Sequence, residues 1–76
     1  MDTKTVEEQA CMQDIGQRIR QARTMAGLSQ AQLAHKVGVI EQTIRHIEHA
    51  KRDIKVFMLF RLADALEVHV SALLGR

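Results

Sequence analysis

The chain has 76 residues and a mass of 8.6 kDa, is 46% hydrophobic, and sets eleven Lys and Arg against nine Asp and Glu. That is enough for one domain and one core, with about 60% of the unfolded surface buried. No apolar run reaches the ~18 residues of a membrane span, MDTKTVEEQACMQD carries no apolar signal-peptide segment, and the lone Cys11 excludes an internal disulfide, so a cytoplasmic protein is expected. There is no Trp, Tyr or Pro and there are only two Phe. Ala, Leu, Ile, Val and Met must pack the core, which suits helices better than strands. The formal charge of +2 is unevenly spread. Residues 1–14 sum to −3 through Asp2, Glu7, Glu8 and Asp14 against Lys4, and residues 15–76 sum to +5. An acidic extension (1–13) before a basic domain (14–76) follows, and a basic domain suits an anionic partner.

The first helical period is Ile15, Ile19, Ala22 and Ala26, extended backward by Cys11 and Met12. Thr5 with Glu8 and Asp14 with Gln17 both resemble capping boxes, which leaves two starts open. Gly27 ends this helix. Cys11 is expected as a small buried apolar residue. Ser29 is an N-cap for a second helix over 30–37, with Leu33 and Val37 inward and Ala34 small enough for close approach. Gly38 breaks it and Val39 plugs the turn. A third helix over about 40–48 turns Ile44 and Ile47 inward and Gln42, Arg45, His46 and His49 outward. The fourth, over about 55–66, has Val56, Leu59, Phe60, Leu62, Ala63 and Leu66 as its inward set. A fifth spans about 70–74. Five helices without a strand predict an all-α domain.

Helices 2 and 3 are too short to be stable alone. Held by their neighbours at a fixed angle, they form a helix-turn-helix, whose second helix fits the major groove of DNA and reads base edges. Other chemistry is missing. No nucleophile has a partnered base, no glycine-rich loop cradles phosphate, and no carboxylate pair lines a cleft, so an enzyme is not expected. His46 and His49 lack a third ligand, so neither a metal nor another cofactor is expected. His35 and His69 read as surface or capping residues.

The segment IGQRIRQARTMAGLSQAQLAHKVGVIEQTIRHIEHAKRD resembles the Cro/cI-type (phage-repressor, Xre) helix-turn-helix domain, and LADALEVHVSALL resembles its closing helices. The pattern is Arg23, Gly27-Leu28-Ser29-Gln30, Leu33-Ala34, Gly38-Val39, Ile44 and Ile47-Glu48. It implies a compact, five-helix, lambda-repressor-like fold and a DNA-binding transcriptional regulator, a repressor acting as a dimer on double-stranded DNA. On this resemblance Glu41, Gln42, Arg45 and His46 contact bases. Gln30, Thr43, Lys51, Arg52 and Lys55 contact the backbone, with Gln30 also buttressing the recognition helix. Arg23 and Glu48 form a structural ion pair. Four positions depart from the family: Ile40 where a Ser or Thr N-cap is usual, Glu41 where a neutral residue is commoner, Ile54 for a frequent Pro, and Glu67 for a frequent Gly. Phe57, Met58 and Leu74 are apolar residues beyond what the core needs, and they predict a homodimer interface. The rival reading is an antitoxin-type protein-interaction module that also binds its own operator, with a toxin or other protein as partner. A helical bundle without DNA function is the third.

Overall fold

Thr5 fixes where the first helix starts. Its hydroxyl accepts from the Glu8 amide at 3.1 Å, and the Glu8 carboxylate accepts from the Thr5 amide at 2.9 Å. This reciprocal capping box satisfies two amides that the first turn would otherwise leave open. From it, α1 runs Val6–Met25, so residues 6–13 form its first two turns. Asp14, the other candidate cap, lies inside the helix and pairs with Arg18 at 3.0 Å. The computed structural model describes residues 5–75; Asp2 and Lys4 of the acidic extension lie outside the described residues.

Four helices follow: α2 (Gln30–Val37), α3 (Glu41–Glu48), α4 (Val56–Leu66) and α5 (Val70–Leu74), and no strand occurs among the described residues. These ranges agree with the sequence expectation to within a residue for α2 to α5. The Ser29 hydroxyl caps α2 by accepting from the Gln32 amide at 3.0 Å. Gly38 ends it in the left-handed region at φ 79°, where a Cβ is costly. Ile40 precedes α3 and supplies no side-chain cap.

Ile15 and Ile19 of α1, Leu33 and Val37 of α2, and Ile44 and Ile47 of α3 meet in one core. Leu59, Leu62, Ala63 and Leu66 of α4 and Leu73 of α5 complete it. Ile19, Leu33, Ile44, Leu62 and Leu73 are fully buried, each contributing about 1.5–3 kcal/mol over an exposed position. Ala34 is 2% exposed. Its small side chain lets α3 pack closely on α2, and its carbonyl accepts from the Val39 amide at 3.0 Å to close the turn.

Four expectations about burial are corrected. Val56 is 65% exposed and Phe60 54% exposed. The α4 stripe that meets α1, α2 and α5 is Leu59, Leu62, Ala63 and Leu66, and Phe60 points roughly 110° away from its centre. Val56, at the first position of α4, lies beyond the packed layer. Cys11 is exposed because α1 extends past the core at that turn; Ile15 is the first α1 residue in it. Ala26 is exposed as well, being the C-cap residue rather than the last inward residue.

Candidate nucleic-acid interface

The α3 helix is eight residues long and is held from two sides. Ile44 and Ile47 bury its inner face. At its end, Glu48 is enclosed with 1% of its side chain exposed. Arg23 Nε donates to Glu48 Oε2 at 2.6 Å and Arg23 Nη2 to Oε1 at 3.1 Å, a two-bond fork between α1 and α3. Arg23 Nη1 donates to the Leu28 carbonyl at 2.8 Å, tying in the α1–α2 turn. Gln30 Nε2, at the start of α2, donates to Glu48 Oε1 at 3.1 Å. One buried carboxylate thus fixes three elements, and its charge is compensated where it sits.

The opposite face of α3 is free. Glu41, Gln42 and Arg45 are exposed, and Thr43 and His46 are half-buried. Beyond α3 the chain turns at Ala50, which is buried and left-handed at φ 57°. The Lys51 amide donates to the His46 carbonyl at 2.8 Å there. The turn leads into exposed Lys51, Arg52 and Lys55. Gln30 is half-buried, and its amide nitrogen keeps a second hydrogen for a ligand oxygen. The base-contact candidates and Thr43 therefore lie on α3, Lys51, Arg52 and Lys55 follow in the basic segment after it, and Gln30 stands at the start of α2. Phe57 stands apart on α4 with 83% exposure; Leu74 is 38% exposed, and Met58 is half-buried against the core.

The sequence pattern of the helix-turn-helix family matches residues 19–73. The chain belongs to the Cro/cI-type helix-turn-helix family. The match takes in the last part of α1 and all of α2, α3 and α4. A relative described as an uncharacterized HTH-type transcriptional regulator of Sinorhizobium fredii is 39% identical over 57 residues, which is 75% of this chain. The restriction-modification controller protein C.AhdI of Aeromonas hydrophila superposes with a TM-score of 0.81 at 33% identity, covering 84% of this chain and 97% of that one. SinR, the master regulator for biofilm formation, solved in complex with DNA, superposes at 0.74 with 36% identity, covering 79% and 97%. The chain spans 40% of the length of the S. fredii relative and 63% of a second curated regulator, from Rhodospirillum rubrum.

Sequence reasoning did not single out Gly16, although it governs how closely α1 approaches α3. A Cβ placed there would lie 2.7 Å from both the Ile47 and the Glu48 carbonyl oxygens. The available signal was a glycine inside a strong helical period, which costs about 1 kcal/mol against Ala unless packing requires it. Gln9 was also missed: its amide lies 3.5 Å from the Ala50 carbonyl, linking the start of α1 to the turn after α3.

Proposed function

We propose that the protein regulates transcription by binding double-stranded DNA, with α3 in the major groove. The observation that carries this reading is the rigid presentation of α3. Its inner face is buried, its end is fixed by Arg23, Gln30 and Glu48, and its outer face exposes Glu41, Gln42 and Arg45. Gln42 bonds the N6 and N7 edge of an adenine, Arg45 bonds guanine O6 and N7, and His46 adds a contact one turn on. Glu41 accepts from cytosine N4, the one base-edge group that suits a carboxylate among phosphates. Gln30, Thr43, Lys51, Arg52 and Lys55 grip the backbone and set the register. A protein 36% identical in sequence, SinR, has been solved on DNA, which supports the reading.

A domain of this size buries too little DNA for strong specificity, and two copies on half-sites one helical turn apart overcome that limit. The protein is thus a homodimer and acts as a repressor by occupying its operator. Its compartment is the one that holds the DNA, the cytoplasm. Selection from random duplex DNA tests the proposal. The expected product is a pseudo-palindrome with half-site centres about 10–10.5 base pairs apart. Recovery of unenriched sequence, with equal affinity for all duplexes, rules the proposal out.

A further inference from the structure

A polar concavity of about 340 Å³ opens between α1 and the end of α3, outside the face assigned to base reading. Gln13, Gln17 and Arg20 line it from α1, and Glu48, His49 and Ala50 from α3 and the turn after it. Gln13, Gln17 and Arg20 stand at i, i+4 and i+7, so they share one helix face. Among the described residues, the side chains of Gln13, Gln17, Arg20 and His49 take part in no hydrogen bond or ion pair. Four sets of donors therefore converge with their capacity unused, and all four side chains are exposed.

The electrostatics favour an anion. The Glu48 carboxylate is 1% exposed and consumed by Arg23 and Gln30, so it presents no free charge. The end of α3 is a negative pole, but the His46 and Ile47 carbonyls are already taken by the Lys51 and Ala50 amides. Among the described residues, the Arg20 guanidinium remains as the uncompensated charge in the cavity. We propose that Arg20, Gln13, Gln17 and His49 form an oxyanion site for a phosphodiester of the bound DNA, outside the base pairs read by α3. Ala50 joins this cavity directly to the Lys51–Arg52 loop, so one strand of phosphates runs past both. The inference rests on the DNA reading above.

The test uses the full chain and a selected operator duplex, titrated at several salt concentrations. Arg20→Gln lowers the slope of log affinity against log salt by about one and leaves base preference unchanged. Gln13→Glu, which places a carboxylate in the cavity, weakens operator binding further at low salt. Both positions are exposed, so both variants melt with the wild type; should Arg20→Gln fail to fold, Gln13→Glu decides. Trimming the duplex from its ends abolishes the difference between wild type and variant. An unchanged slope and affinity in both variants overturns the site while α3 keeps its role. Failure of the wild type to bind any duplex overturns the DNA reading and this site with it. Inorganic phosphate added to the wild type alone distinguishes the source. Weak, non-saturating shifts of the Arg20 Nε–H resonance support a backbone phosphate, whereas saturation below millimolar phosphate identifies a free phosphorylated ligand and overturns the DNA assignment.

Discussion

Glu48 shows how much one buried charge can organise. Its side chain is 1% exposed, and its bonds reach Arg23 and Gln30. Removing Arg23 leaves a carboxylate without water and with a single neutral donor. Breaking one partner of such a pair costs about 3–5 kcal/mol, a large share of the 5–15 kcal/mol typical of a domain. Arg23→Met is expected to lower the urea midpoint accordingly, and an unchanged midpoint refutes the role. Gly16 is the second decisive residue. Alanine there gains about 1 kcal/mol of helix propensity, yet its Cβ would meet two backbone carbonyl oxygens at 2.7 Å. Backbone atoms cannot swing aside, and overpacking of this kind costs about 1–3 kcal/mol. Gly16→Ala is expected to melt lower than the wild type and to bind DNA more weakly, because α1 pushes against the end of α3. A higher melting temperature contradicts this account.

At the scale of the element, α3 stands out for its start. Ile40 occupies the N-cap position, is 66% exposed and makes no cap hydrogen bond. Serine there satisfies an open amide and removes nothing from the core, a gain of about 1 kcal/mol. For a domain of 60–100 residues this corresponds to a rise of about 4–8 °C in melting temperature, which calorimetry of Ile40→Ser checks. On the proposed reading, this helix and the loop after it make two kinds of contact. Gln42→Ala is expected to cost about 1–3 kcal/mol on the best operator and to relax choice at one base pair. Lys51→Ala, in the loop, weakens all duplexes alike and lowers the salt slope by about one. Equal effects of both substitutions on operator and random DNA refute the division.

Helix boundaries were legible because Ser29, Gly27 and Gly38 are strong local punctuation, and Thr5 with Glu8 marked a start that the charge pattern obscured. The α4 face was read less well. Its sequence, VFMLFRLADAL, is apolar at six of its first seven positions apart from Arg61, so periodicity alone could not say which side the bundle covers. Packing decides that: α1, α2 and α5 pack against α4, and among the described residues no element covers Val56 or Phe60. The network around Glu48 was only partly legible, since its sequence signs are single residues far apart, joined by the Gly16 approach.

At the scale of the whole molecule, that uncovered face is the main departure from a self-contained domain. Phe57 is 83% exposed, Val56 65%, Phe60 54% and Leu74 38%. Phe57 and Phe60 are three residues apart, and Val56 and Phe60 four, so these side chains adjoin on α4. Scattered apolar residues on a surface are ordinary, but two Phe beside a Val are a contiguous patch of the kind that marks an interaction site. A twofold pair is the commonest way for a soluble chain to cover such a patch, because the same residues then serve both partners. Met58 is half-buried against the core, and Phe57, the most exposed of the four at 83%, is the expected anchor. Phe57→Ser removes an aromatic side chain that contributes little to the fold of the monomer, so the variant is expected to keep its helical content and melt near the wild type. Its sedimentation at micromolar concentration is expected to be that of a monomer, while the wild type sediments as a dimer. Operator affinity falls with it, and the variant retains single half-site binding. A monomeric wild type, or a variant dimer of undiminished stability, removes Phe57 from the interface.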